Sequence, residues 1–514
     1  MAKRRRQRGT FESARGDIYK NFYITVSGIT GINQNFPPNT IEDTECQQIW
    51  NYAYVGRGNI RKIPAAKKLF STSAPVIHIV SANLNGNYNC LVFLKDGSVY
   101  NWDKNTLTQI ASAGTLSGDP SYIGTCIWQN QKIYVIDRNG YFRWDGSTWT
   151  QVSSSIVGHD ICIWQGRVFV ANGSKILYTV ALDPEDFAGS GSGYIDIASS
   201  FPDLKVKVKK LIGYVDSLVI YGDNATMALT GSTISNDPSL WYLTEVSNVT
   251  GVQYKGSVVV YKNEIFFQNS KGIFKGTIAQ QEKIDYKVDL VSNVIQEGLC
   301  AVYPVYNLLN YFIPIQNSSP FRGGATRNGL LFCVDLGEFC FLDIGVDIYG
   351  FYYSFVEEYE DALLVLGADG CYQFGSDTTN NMPTYIKTKA FDLGNPHIDK
   401  FWWVFILKTQ LKGDTTFTIG AETDLQLVRF EISSPAETPL FVFTDEDNNI
   451  YYWTDSNQSE IYANYSVATG AIKDLVFKNS VTGNYVVYEI KENSNAIFDI
   501  YGFQIKGQLS RIRL

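Results

Sequence analysis

The chain has 514 residues, more than one hydrophobic core ordinarily holds, so two or more domains, or one large repeat domain with attachments, are expected. Tyr (33), Phe (30) and Gly (43) are abundant and Met (3) is scarce, which favours pleated strands joined by glycine turns. The net charge of −8 hides an asymmetry. Lys3, Arg4, Arg5, Arg6, Arg8, Arg15 and Lys20 against Glu12 and Asp17 give the first 20 residues +5 and the remainder −13, which excludes a body built to grip phosphates.

Residues 1–20 are expected to be a basic flexible arm, whose basic start leads into Gln7-Arg-Gly-Thr-Phe-Glu12 and not an apolar stretch, so no signal peptide is expected. A segment over 21–70 is expected to be extended and to dock on the β domains. It opens with a strand at Asn21–Val26 and continues through Gly28, Gly31, Pro37 and Pro38, which oppose helix. Ile41–Trp50 reads as one or two helical turns under a Thr40 cap. Arg57–Pro64 then passes through a basic loop to Leu69-Phe70.

Over residues 71–380 the pattern is strand, turn, strand, and parts of it repeat. Cys126-Ile-Trp-Gln129 returns as Cys162-Ile-Trp-Gln165, 36 residues later, each followed by an apolar run and an Asn-Gly turn. Val99-Tyr-Asn-Trp102 through Ile110 has a gapless counterpart in Tyr141-Phe-Arg-Trp144 through Val152. A strand-rich unit of this period is the mark of a propeller, because one blade buries a single face and needs neighbours and ring closure to cover the rest. Roughly six to eight blades are expected, ending at Asp369-Gly370 and Cys371–Phe374. From about Thr378 the strands lengthen, as in Lys400–Leu407 and Ile500–Arg513, and residues 381–514 are assigned to a C-terminal antiparallel, sandwich-like domain. The fold class is therefore all-β: a propeller with an N-terminal extended arm and a C-terminal β-sandwich-like domain.

Little chemistry is spelled out. The eight cysteines are scattered without a C-x-x-C pair, and several lie in apolar runs, so no disulfide framework and an intracellular site of synthesis are expected. No apolar run approaches membrane-spanning length. The three histidines, His78, His159 and His397, fall in no triad, H-E-x-x-H or nucleotide motif; His78 reads as a core residue and the other two as turn residues. Trp144-Asp-Gly-Ser-Thr-Trp149 lacks the spacing of a sialidase-type Asp box and reads as a hairpin turn. Acid pairs at Glu357-Glu358, Glu360-Asp361 and Asp445–Asp447 could serve glycoside hydrolysis or Ca²⁺, but read as solvated loops. No catalytic, cofactor or metal residues are assigned, and the chain is not expected to be an enzyme.

Several pieces resemble one family. Gly28-Ile-Thr-Gly-Ile-Asn33, Pro37-Pro38, Asp43–Asn51 and Gly58-Asn-Ile-Arg-Lys62 are similar to the start of tail proteins from short-tailed bacteriophages, where a Gly-Gly-x-Asn opening precedes a Gly-x-x-Arg-Lys element. The propeller repeats, Lys387–Asn395, Lys400–Leu407 and Leu509–Arg513 resemble the middle and end of the same proteins. Here Thr30 stands before Gly31 and no glycine follows Lys62. The resemblance implies a tail nozzle or tail hub, usually a homo-hexameric ring below the portal and its adaptor and near tail fibres. Such a ring retains double-stranded DNA and passes it during ejection without reading its sequence. It implies a virion protein made in the host cytoplasm, with Lys3, Arg4, Arg5, Arg6 and Arg8 as a peptide that docks on an acidic connector face or contacts DNA. Two other readings draw on other features: a carbohydrate-binding or carbohydrate-degrading tail propeller, from the aromatic excess and acid pairs, and a cellular kelch-like interaction propeller, from the repeats alone.

Overall fold

The computed structural model describes residues 21–509 except 204–205, 215, 232–236, 249, 278–280, 285–296, 357–358, 395–396, 412–414, 435–442, 445–449, 452, 455–459 and 462–472. Among them helix is confined to one turn at Ile197–Ser200 and two short 3-10 segments; the rest of the regular structure is strand.

Seven four-stranded meanders form a β-propeller. Their first strands, which line the axis, are Val76–Leu84 (blade 1), Gly124–Trp128 (blade 2), Asp160–Trp164 (blade 3), Val208–Tyr214 (blade 4), Val259–Tyr261 (blade 5), Ala301–Val305 (blade 6) and Ile348–Val356 (blade 7). Six blades are separate four-stranded sheets, whereas blade 6 is continuous with a larger sheet. The sequence repeat falls out of this order. Cys126 and Cys162 hold equivalent places on the first strands of blades 2 and 3, and Trp102 and Trp144 close the third strands of blades 1 and 2. Glycine is required at the Asp96-Gly97 hairpin, where φ is +81° and an added Cβ would lie 2.1 Å from the Leu116 carbonyl oxygen. All eight cysteines are unpaired and seven are buried, where desolvation pushes thiols such as Cys90 and Cys300 up to about 12.

The ring closes with strands from both ends of the propeller. Ala65–Ser71 pairs antiparallel with Gly370–Asp377 and becomes the outer strand of blade 7. Blade 7 in turn packs on blade 1 through Leu364, Leu366 and Cys371 against Val76, Ile79 and Val92. The Tyr352 hydroxyl accepts from Ser81 N at 3.0 Å across the same seam. The first strand of each blade remains a short edge, and ring closure shelters it at the axis.

The second body is a sandwich of two sheets. One joins Tyr52–Gly56, Asn59–Lys62, Phe498–Leu509, Lys400–Leu411 and Lys473–Gly483 in that order, with Asn21–Ser27 also on Phe498–Leu509. The other is the remainder of the nine-stranded sheet that begins as blade 6: Cys46–Trp50, Met382–Thr388, Val487–Ser494, Thr415–Glu422 and Leu427–Ser434. Trp50, Tyr52, Trp402, Phe405, Tyr488, Phe498 and Ile505 fill the space between them. The rings of Phe405 and Tyr488 stack at 4.4 Å.

The expected helical turns at 41–50 are not formed. Thr40 makes a turn back to the Pro37 carbonyl, and Cys46–Trp50 is a strand. Its apolar spacing suits a helix locally, but it lies between two strand edges that both offer backbone partners, and tertiary pairing overrides the weak local preference. Asn51, fully buried at φ +64°, fixes the joint. Its amide nitrogen donates to the Asp343 and Pro383 carbonyls (3.0 and 2.7 Å), and its side-chain oxygen accepts from Asp343 N at 2.8 Å.

Replacing Asn51 with Ala removes these bonds, leaves buried carbonyls unpaired and places a Cβ residue without a local partner at positive φ. The expected loss is about 3 kcal/mol or more. Asn51→Gly, which tolerates the backbone angle, is expected to lose about 1 kcal/mol less. Thermal unfolding of the two variants beside the parent protein measures both.

Candidate functional site

Where the chain arrives at the first strand of each blade, it leaves a cavity of about 440 Å³ on the propeller axis. The lining comes from six blades: Ile77 and His78 (blade 1), Ser121 and Tyr122 (before blade 2), His159 and Asn172 (blade 3), Lys207 and Lys209 (blade 4), Tyr254 and Lys255 (before blade 5), and Glu297 and Leu299 (before blade 6). A second cavity of about 290 Å³ continues deeper between the first strands. His78, Lys255, Gly256 and Leu299 line both, so they form the waist of the axial space.

Lys255 is set there by the 3-10 turn Lys255–Ser257, which precedes the first strand of blade 5. Its ammonium donates to the carbonyls of Ile123, at 2.6 Å, and His159. One half-buried side chain thus ties together the entries of blades 2, 3 and 5. Desolvation pulls the Lys255 ammonium down to about 7; Asp160 opposes this shift and Lys210 adds to it.

The neighbouring groups explain the rest of the field. Asp160 is buried and accepts from Lys210 Nζ at 3.1 Å and from Leu211 N at 2.7 Å. His159 Nε2 lies 2.7 Å from the Val208 carbonyl, which assigns that nitrogen its proton. His78 Nε2 lies 3.1 Å from the Thr125 hydroxyl, with its ring edge-on to Phe93. Burial, then the cation of Lys255, lowers the pKa of both histidines, His78 well below the usual range, and so keeps them neutral. Among the described residues no cluster of His, Cys, Asp and Glu is arranged to hold a metal ion.

The residues singled out in the sequence fare unevenly. His78 is the buried residue it was read to be, but it also joins His159 at the axis, a pairing that a separation of 81 positions conceals. His397 is in a turn away from this site. Glu357, Glu358, Asp445, Glu446 and Asp447 lie outside the described residues, as do Lys3, Arg4, Arg5, Arg6 and Arg8. Asp361 is exposed, and its carbonyl accepts from the Tyr303 hydroxyl at 3.4 Å. Asp145 caps its own turn, accepting from Ser147 N and Thr148 N, as a hairpin residue does. Lys255, Lys207 and Lys209 went unnoticed; the available signal was a polar residue at the entry to each first strand, visible only once the blades are aligned.

No family model matches the chain, and no curated protein matches it. Solved structures with related architecture include the extracellular domain of a putative one component system from B. thetaiotaomicron (9% identity, TM-score 0.41, covering 75% of this chain and 51% of that one). Others are BBS1N in complex with ARL6DN (8% identity, TM-score 0.39, covering 60% and 96%) and YCF48 bound to D1 peptide (12% identity, TM-score 0.37, covering 61% and 99%). The chain spans about half the length of the first of these. Among the described residues no helix is long and apolar enough to cross a membrane.

The depressed Lys255 value has a measurable consequence. Between pH 7 and 9 the unfolded chain keeps a proton on this amine that the folded chain has shed, so raising the pH favours the folded state. The stability of the parent protein relative to Lys255→Met should therefore rise across that window, by up to about 1.4 kcal/mol per pH unit. Melting curves of both proteins at pH 7, 8 and 9 test this; a constant difference would contradict a depressed Lys255.

Proposed function

We propose that the chain is a structural virion protein of a short-tailed bacteriophage, a tail nozzle or tail-hub subunit that works by assembly and gating and not by catalysis. The observation that carries this reading is where the family-like motifs lie. The motifs of residues 28–62 and 387–407 are separated by more than 300 positions of sequence, yet they meet at one place. Gly28 and Gly58 cross so closely that a Cβ on either would stand 2.9 Å from the other's Cα, and Ile29 N donates to the Gly58 carbonyl at 2.8 Å. Arg61 holds Asp499 through two bonds of 2.6 and 2.7 Å, and Lys62 is buried against Glu492 at 2.5 Å. Lys389, from the downstream motif, reaches back to Asp43 at 2.8 Å. The motifs therefore work as a single structural unit that joins the first residues to the last strands. Such a unit suits a scaffold better than a catalyst.

The charge distribution fits the same role. A surface past which a duplex slides is best left acidic, because each phosphate neutralised by Lys or Arg adds a salt-dependent hold. The propeller axis is not the route: a duplex whose major groove alone is about 12 Å wide cannot thread a cavity of about 440 Å³. In this proposal DNA runs through the lumen of a homo-hexameric ring of copies under the portal and adaptor, while the arm with Lys3, Arg4, Arg5, Arg6 and Arg8 docks on the adaptor. Folding of a basic segment on binding gives a wide contact surface, which suits assembly.

The purified protein, alone and mixed with the adaptor, is expected to give a discrete ring in native mass spectrometry and negative-stain images; a strict monomer in both would overturn the reading. Deleting residues 1–8 is expected to abolish attachment to the adaptor while leaving the melting temperature unchanged. Undiminished attachment would remove docking from the arm's role.

A further inference from the structure

The axial cavity is an electrostatic exception in an acidic protein. Among the described residues Lys207, Lys209 and Lys255 line it against a single lining acid, Glu297, which accepts from Ser121 at 3.2 Å. The other acids nearby are already engaged. Asp160 holds Lys210 and Leu211 N; Asp137 accepts from Ser117 N and Asn139 N; Asp119 pairs with Arg138 at 2.6 Å. Asp223 accepts from the Lys207 backbone N at 3.2 Å, the ammonium groups of Lys207 and Lys209 form no ion pair among the described residues, and two of the three N–H groups of Lys255 are directed at carbonyls. A concave, low-dielectric site lined by one sign of charge focuses its field on what enters.

The remaining lining sets the size and body of a ligand. Tyr254 offers an aromatic face with a polar tip, whereas Tyr122 already carries the Arg138 guanidinium on one face at 4.0 Å; Ile77, Pro120 and Leu299 offer apolar walls, and Asn172, Gln253 and Ser121 offer hydrogen bonds. A volume of about 440 Å³ is within the range of small-molecule sites. We infer that this cavity binds a small organic anion, a sugar-sized hydroxylated molecule carrying one phosphate or carboxylate, with the anionic group held by Lys207, Lys209 and Lys255 and the ring lying against Tyr254. The inference is independent of ring assembly, since one chain carries the whole site, and the two fail separately.

Titration calorimetry of the full chain with glucose 6-phosphate, glucuronate and uncharged glucose tests it. The expected result is saturable binding of at least one of the two anions, one per chain, with glucose weaker by about tenfold or more. Lys207→Glu/Lys209→Glu, which changes side chains at the cavity mouth, should abolish anion binding without altering the melting temperature. Deletion of residues 1–20, which removes the other basic cluster, should leave it intact.

Binding of glucuronate, whose carboxylate is ionised throughout this range, should weaken from pH 6 to pH 8.5. The groups around Lys255 are His78 from blade 1, Asp119 and Asp137 from blade 2, His159 and Asp160 from blade 3 and Lys210 from blade 4; of these the histidines are already neutral, so the loss follows Lys255. Lys255→Met should flatten that dependence. No saturable binding of either anion, equal binding of glucose, or undiminished affinity in the Lys207/Lys209 variant would each overturn the assignment. So would loss of binding on deleting the arm.

Discussion

Everything in this fold hangs on a short strand with two partners. Cys46–Trp50 pairs with the outer strand of blade 6 on one side and with Met382–Thr388 on the other, so a blade and a sandwich sheet become one nine-stranded sheet. Backbone pairing with buried side chains on a sheet face admits one register, because a slip by one residue would turn Ile49 and Trp50 to the wrong face. Asn51 then terminates the strand and, by bonding to Asp343 and Pro383 together, holds the two partners at a fixed separation. The chain leaves this joint into Tyr52–Gly56 and Asn59–Lys62 of the opposite sandwich sheet, and then into Ala65–Ser71 of blade 7. Fewer than thirty residues thus clamp the sandwich, blade 6 and blade 7, which makes the propeller and the sandwich one mechanical body. The buried Lys62–Glu492 pair belongs to the same clamp. With Thr415 and Ser494 also bonded to Glu492, it specifies which strands meet there more than it adds to net stability.

Ring closure explains the axis as well. Apolar side chains between adjacent blades fill the seams, as Phe142 and Trp144 of blade 2 do against Leu91 and Phe93 of blade 1. At the centre, first strands from all seven blades converge and their backbone ends cannot pair with one another. Carbonyls such as those of Ile123 and His159 must find another donor, and Lys255 supplies it. The same closure removes the ammonium from bulk water, and that is why its proton is held so weakly.

The architecture was legible in the sequence because its signals are local. The Cys-Ile-Trp-Gln repeat, the Asp-Gly and Asn-Gly turns and the change to longer strands after Thr378 each report on a few neighbouring residues, and the propeller with its C-terminal sandwich follows from them. What failed was segment 41–50, where the deciding partners are some 290 and 340 positions away. The site was illegible for the same reason. His78, His159 and Lys255 belong to no motif in their own segments and acquire a shared meaning only when a ring brings strand entries to one axis. Candidates chosen from local charge, such as Glu357 or Lys3, fall outside the described residues, while Asp145 is the hairpin-turn residue that its sequence indicates.

The body and its axis therefore carry opposite electrostatic instructions, and their scales decide which partner each can serve. A formal charge of −13 outside the first 20 residues acts over the molecular surface, where salt screens it within roughly 8 Å at physiological ionic strength. At that range it discourages adhesion of a passing polyanion without hindering its movement. The lysines of the cavity, with Lys207 and Lys209 at its mouth and Lys255 half-buried at its waist, act over a few ångströms and are screened less than charges on the open surface. A long polyanion is kept from them by width alone, whereas a molecule of sugar size is not. The two proposed roles are therefore compatible in one chain, because geometry separates a long polyanion from a small anion before charge acts on either.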